Sequence, residues 1–179
     1  MIIELLQKRG LFEKVTSDEL ADLLKKPTKV YLGFDPTADS LHIGNLVGIV
    51  ILRWFQKFGH TPVVVLGGAT ARIGDPSGKS VERPLLDAQT IATNVGSISK
   101  HFEQVLDFSD SSTRPLILNN DQWLNEYPFI DFLRDVGRHF RLGVMLAKDS
   151  VKTRLSSEEG LSFTEFSYQL IQGYDFLHL

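Results

Sequence analysis

His42 and Asn45 stand three residues apart in Ser40-Leu41-His42-Ile43-Gly44-Asn45, a spacing that places both on one face of a helix's first turn. Each can donate a hydrogen bond. A helix start also offers free backbone N–H groups and the positive end of the helix dipole, which together suit a phosphate. Gly44, lying between them, would let a flat ligand approach the backbone closely. The plainer alternative is a helix capped by Asp39 or Ser40 with a surface histidine beyond, and an isolated His-x-Gly-Asn favours it. A second string runs Gly67-Gly68-Ala69-Thr70-Ala71-Arg72-Ile73-Gly74-Asp75-Pro76-Ser77-Gly78-Lys79-Ser80. Its last four residues look like the end of a phosphate-binding P-loop, but that loop needs a glycine where Ile73 stands. In a third string, Thr164, Tyr168, Gln172 and Asp175 recur at helical spacing and form one polar stripe, with Phe163, Phe166, Leu170 and Tyr174 on the other sides. Such a stripe faces either water or a polar cavity, and periodicity alone favours water.

These strings need elements to hold them. Residues 29–34 read as a short strand running into Asp35-Pro36, a turn signal. A long helix follows over 40–58 and is closed by Gly59. Residues 62–66 form a wholly apolar, valine-rich run, as expected of a buried parallel strand. The stretch 67–84, dense in Gly, Pro and Ser, is too long for a simple connection. A helix is predicted over 88–106, a short strand over 115–118 ending at Asn119-Asn120, and further helices over 129–136 and 163–179. At the front, Ile2, Ile3, Leu5 and Leu6 predict an amphipathic helix closed by Gly10. Ser17 predicts the cap of a second helix, with Leu20, Leu23 and Leu24 as its apolar stripe. Alternation of strand and helix is the pattern of an α/β parallel sheet, in which ligands bind at the carboxyl ends of the strands. The segments 31–35, 67–75 and 119–120 fall there.

The bulk numbers narrow the setting. A length of 179 residues, 42% hydrophobic and 23% charged, predicts one folded domain of ordinary size. A net charge of −3 carries no basic surplus of the kind that marks nucleic-acid binders. The absence of cysteine excludes disulfides and thiolate metal sites, and five scattered histidines offer no zinc-ligand spacing. The N-terminus lacks the features of a signal peptide, and the longest apolar run, 46–52, is far too short to span a membrane. A soluble, cytoplasmic protein without a membrane partner is expected.

Taken together, the three strings resemble the signatures of the tyrosyl-tRNA synthetases. His42-Ile43-Gly44-Asn45 is similar to the class I motif His-Ile-Gly-His. The Gly67–Lys79 stretch is similar to that family's Gly-Gly-Ala-Thr…Ile-Gly-Asp-Pro-Ser-Gly-Lys. The residues from Phe163 to Leu177 are similar to its tyrosine-pocket helix. The resemblance covers essentially the whole chain and implies a Rossmann-like parallel sheet flanked by helices, the front of a class I catalytic domain, with a helical insertion over about 125–179. It implies activation of L-tyrosine with ATP, accompanied by magnesium as part of the substrate, then transfer to tRNA(Tyr), with no tightly bound cofactor. It also implies a homodimer.

Residue by residue, the resemblance assigns the catalytic positions to Thr37, His42, Asn45, Lys79 and Arg83. The last two would contact the leaving pyrophosphate. ATP would meet Gly33, Asp35, His42, Gly44 and Asn45. Asp75 would receive the ammonium group of tyrosine, Tyr168 and Gln172 its amino end, and Tyr31 with Asp175 its phenol; Asn120 matches another pocket position. A site built to bond a hydroxyl rejects the analogue that lacks one, because its buried polar groups are left unpaired, and tyrosyl enzymes are a known instance of this rule. Phe163 is assigned either to a dimer interface or to an ordinary core. Lys148, Lys152 and Arg154 are read as a solvated helix face rather than an RNA contact.

Two departures shape the expectation. Asn45 replaces a histidine: an amide N–H can take the place of an imidazole N–H as a donor but cannot move protons. The chain also stops at Leu179, where family members continue with a lysine-rich signature and an RNA-binding tail, so inefficient catalysis by the chain alone is expected. A tryptophanyl-type enzyme and a non-catalytic RNA-binding or regulatory module that kept the fold are the alternatives.

Overall fold

A computed structural model describes residues 1–77 and 85–179. Lys79 and Arg83 lie outside the described residues. The chain divides into two compact units, Met1–Leu66 with Thr93–Leu118, and Gly67–Ala92 with Asn119–Leu179.

The first unit is built on strands β1 (Lys29–Phe34) and β2 (Thr61–Leu66), which pair in parallel from Lys29 opposite Thr61 to Phe34 opposite Leu66. Strand β3 (Leu116–Asn119) completes the order β1-β2-β3. Five successive buried residues in β2 confirm a strand covered on both faces. Helices α1 (Ile2–Lys8), α2 (Leu20–Leu23), α3 (Ile43–Lys57) and α4 (Ala88–Val105) accompany the sheet. Phe34, Leu52, Val64, Leu66, Ile98 and Phe102 form its core, and Phe34 meets Phe102 edge-to-face at 4.9 Å. Each such side chain contributes roughly 1.5–3 kcal/mol by leaving water. Gly59 takes φ +87° just after α3 and ends the helix as expected.

Two expectations for this unit need correction. Helix α3 begins at Ile43 rather than near Ser40, because His42 and not Asp39 or Ser40 is its N-cap. Helix α2 is a single turn, with Leu23 exposed. Ser17 Oγ does accept Glu19 N–H at 3.2 Å, but Ser17 stands three residues before the helix begins and Glu19 is the N-cap.

The second unit is helical: a 3₁₀ turn at Thr70–Arg72, then α5 (Asp121–Leu124), α6 (Phe129–Asp135), a 3₁₀ turn at Gly137–His139, α7 (Leu142–Leu146), α8 (Asp149–Leu155) and α9 (Phe163–His178). Phe132, Tyr127 and Tyr174 pack edge-to-face at 5.4–5.8 Å. Arg154 corrects the expectation of a solvated face. It is 2% exposed and donates from Nη1 to Glu165 Oε1 at 2.7 Å and from Nη2 to the Gly160 carbonyl at 3.0 Å. Its partner lies on the next helix, which spacing within α8 cannot reveal. Among the described residues, no helix is long and apolar enough to cross a membrane.

Candidate functional site

In the first unit the assigned residues are Tyr31, Gly33, Asp35, Thr37, His42, Gly44 and Asn45. Tyr31 and Gly33 share one face of β1, two residues apart. A Cβ at Gly33 would come within 3.0 Å of the Tyr31 hydroxyl, so the glycine leaves that ring its place. The chain then turns through Asp35 and a buried Pro36, where Thr37 N–H donates to the Asp35 carbonyl at 2.9 Å.

The start of α3 is closed by two of the residues assigned to ATP. His42 Nδ1 accepts the Gly44 N–H at 3.1 Å, and Asn45 Oδ1 accepts the His42 N–H at 3.1 Å. The space that Gly44 leaves open is therefore used by the imidazole of His42 itself, which a Cβ there would meet at 2.9 Å. Both readings of the string hold in part: the residues cap the helix, and each spends only an acceptor on it. With Nδ1 accepting, a neutral His42 carries its proton on Nε2, and Asn45 keeps its amide N–H groups, so each retains a donor.

Two residues of α4 that the sequence did not single out hold this loop. Asn94, buried, donates to the Pro36 carbonyl at 3.0 Å, and His101 Nδ1 accepts the Leu41 N–H at 3.4 Å. Only the fold brings them near, since 58 and 60 residues of chain separate the partners.

In the second unit, Asp175 is 2% exposed, and both its oxygens are engaged. Oδ1 accepts Trp123 Nε1–H at 2.8 Å, and Oδ2 accepts Asn120 Nδ2–H at 3.1 Å. Asn120 is also bonded to Thr70 Oγ1 at 3.1 Å and accepts Ala69 N–H at 2.9 Å, which ties the Gly67–Thr70 string to α9. Burial pushes the Asp175 carboxyl above its ordinary value; the donors Asn120 and Trp123 and the nearby His178 act against that rise. Each carboxylate oxygen has a second lone pair, so a further donor can be accepted. Thr70 and Trp123 carry no assignment from the sequence; the fold brings both to Asn120 and Asp175.

Tyr168, two turns nearer the start of α9 than Asp175, is buried, whereas Gln172 and Thr164 are exposed. The polar stripe is thus divided between the interior and water. Asp75 Oδ1 accepts Ser77 N–H at 2.9 Å, directly after Gly74, whose φ of +88° favours glycine. Phe163 exposes 71% of its surface, which removes the core alternative for it. Among the described residues, no three His, Cys, Asp or Glu side chains are grouped to hold a metal ion.

The family model of class I tRNA synthetases (W and Y) matches residues 23–179. A tyrosine–tRNA ligase of Protochlamydia amoebophila is 61% identical over 99% of the chain, which covers 42% of that protein. The chloroplastic/mitochondrial tyrosine–tRNA ligase of Arabidopsis thaliana is 51% identical over 99% of the chain and 36% of its own length. Among solved structures, a C-terminally truncated mitochondrial tyrosyl-tRNA synthetase of Aspergillus nidulans superposes with a TM-score of 0.85 at 32% identity, over 99% of the chain and 53% of that structure. The chain thus spans well under half the length of these curated relatives. The Rossmann-like sheet is that of a class I catalytic domain, and with the family model matching from Leu23 to Leu179, the chain belongs to the class I tRNA synthetases of the tryptophan and tyrosine group.

Proposed function

We propose that this chain is the front of a tyrosine–tRNA ligase. The observation that carries the reading is the buried carboxylate of Asp175, held by Asn120 and Trp123 with lone pairs to spare. A hydroxyl donor fits that acceptor, and the relatives at 51–61% identity are named for tyrosine.

In the proposed reaction, a carboxylate oxygen of tyrosine bonds to the α-phosphorus of ATP as the bond to pyrophosphate breaks. A ribose hydroxyl at the end of tRNA(Tyr) then attacks the carbonyl, and AMP leaves. The attacking carboxylate is ionised near neutral pH and needs no general base. Catalysis therefore rests on positioning and on stabilising phosphate charge. His42 Nε2–H and Asn45 Nδ2–H are the proposed donors to phosphate oxygens, which makes Asn45 a working substitute for histidine there. Gly33, Asp35, Thr37 and Gly44 complete the ATP assignment, with magnesium arriving as part of the nucleotide. Lys79 and Arg83 are proposed for the pyrophosphate, Asp75, Tyr168 and Gln172 for the amino end of tyrosine, and Tyr31 as a second partner of the phenol.

A homodimer is the proposed assembly. Phe129, Ile130, Leu142, Val144 and Phe163 are all exposed, and Phe129, Leu142 and Phe163 line an apolar hollow of about 390 Å³ in the second unit. Contiguous apolar surface of this kind marks interfaces. We place the protein in the cytoplasm; the Arabidopsis relative marks organelles as another setting for the same chemistry.

Equilibrium dialysis with tyrosine, phenylalanine and tryptophan tests the substrate, with circular dichroism to show a folded protein. Tyrosine is expected to bind far more tightly than either analogue. Equal binding of all three would sink the reading, and preference for tryptophan would select the sibling enzyme.

A further inference from the structure

His178, in the last turn of α9, lies face to face with the indole of Trp123, with ring centroids 4.3 Å apart and planes 14° from parallel. A second aromatic neighbour is Tyr174, at 6.2 Å and 43°. Trp123 itself sits on α5, a helix of four residues without a side-chain cap. So short a helix has little stability of its own, and the indole's orientation depends on what packs against it. One anchor of α5 is the Arg72–Asp121 ion pair at 3.0 Å, which fixes the first residue of the turn. The ring two residues later is held by the stack with His178 and by the Nε1–H bond to Asp175.

A hydrogen bond weakens steeply as its angle departs from linear. A tilt of the indole plane would swing Nε1–H away from Asp175 Oδ1 while leaving the backbone unchanged. The imidazole is the flat surface that opposes such a tilt. We propose that His178 is a specificity-determining positioning residue: by stacking on Trp123 it keeps the indole N–H on Asp175, and so sets the carboxylate that reads the substrate hydroxyl. The proposal rests on the assignment of Asp175 to the tyrosine phenol.

The experiment compares tyrosine and phenylalanine binding by equilibrium dialysis in the full-length protein and in its H178A, H178K and H178F variants, with thermal melts followed by circular dichroism. An aromatic stack of this kind predicts a loss of tyrosine affinity in H178A of about threefold to tenfold. Phenylalanine, which offers Asp175 no donor, is expected to bind as before. H178K puts a positive charge near Asp175 without the flat ring and should behave like H178A, whereas H178F keeps a flat ring and should return tyrosine binding to within about twofold of the parent. An unchanged tyrosine-to-phenylalanine ratio in H178A overturns the proposal. So does a parallel fall for both ligands, which is the mark of a structural defect. Rescue by H178K but not H178F would also overturn it, since charge would then be the cause. A parent protein without any preference for tyrosine would fail the phenol assignment itself and this inference with it. A parent that prefers tyrosine beside an indifferent H178A fails the inference alone.

Discussion

Trp123 and Asp175, 52 residues apart in sequence, are joined by a 2.8 Å hydrogen bond from the indole Nε1–H to Oδ1 of a carboxylate that is 2% exposed. With Asn120 on the other oxygen, the carboxylate is oriented before any ligand arrives. A buried anion needs such donors, because an unpaired charge away from water is costly. One donor on each oxygen leaves a lone pair on each, which is the condition for accepting a hydroxyl.

Removing one donor should therefore weaken recognition without unfolding the protein. W123F is expected to reduce tyrosine affinity by about tenfold to hundredfold, the range for a hydrogen bond to a charged group. Phenylalanine binding should change little, and dialysis of the two ligands measures the difference.

The Asp175 carboxyl, raised by burial, makes a pair of opposite pH trends. Tyrosine binding should weaken as pH falls through that raised value, because the acceptor becomes protonated. Folding stability should move the other way. The native state holds this proton more tightly than the unfolded chain does, so the stability it brings is present at low pH and is lost as pH rises through the folded value. The comparison must be between the protein and D175N, since Asp87, Asp107, Asp110 and Asp135 are lowered by their hydrogen bonds and contribute in the contrary direction. Melts and dialysis across the acid range check both trends, and D175N should flatten each difference.

Arg154 and Glu165 form a buried pair at 2.7 Å, with 2% and 1% of the side chains exposed. Loss of either partner alone leaves an uncompensated buried charge. R154M or E165M should each cost about 3–5 kcal/mol in denaturant unfolding, whereas the double substitution should recover most of that loss. Additive losses in the double variant would contradict this account.

His60 is 2% exposed, packs edge-to-face on Phe55, and has its basicity lowered by burial. The unfolded chain therefore binds a proton that the native state resists. Stability is full above the ordinary histidine value near 6.5 and declines as pH falls through it toward the folded value. Thermal melts between about pH 5 and pH 7 should show this decline, and H60L should remove it.

The elements that hold the candidate site were largely legible because they carry local signals. The apolar run before Gly67 could only be a covered strand, and Gly59 marks a helix end that the structure places within a residue of expectation. The short helix α7 carries no amphipathic stripe that would announce it, and α8 shows in the sequence only as the helix face of Lys148, Lys152 and Arg154. Arg154 was misread because its buried state depends on Glu165, 11 residues away on another helix. Asn94 and His101 look like ordinary polar positions on a long helix, and nothing local announces that they hold the loop from Pro36 to Leu41. Asp175 illustrates the same divide. Its place in a polar stripe was visible, but periodicity pointed that stripe toward water, and only the family resemblance and then the fold put the carboxylate inside.

The capping of α3 has a consequence for the kind of partner this turn can meet. His42 Nδ1 has its one lone pair on the Gly44 N–H and Asn45 Oδ1 has one of its two on the His42 N–H, so the hydrogen-bonding capacity left at this turn is mostly that of donors. A cation that sought His42 Nδ1 would have to break its bond to the Gly44 N–H, at a cost of about 1 kcal/mol. An anion meets no such obstacle. The turn thus favours an anion over a cation, and in the proposed reaction a divalent ion would come to it with the phosphates it accompanies.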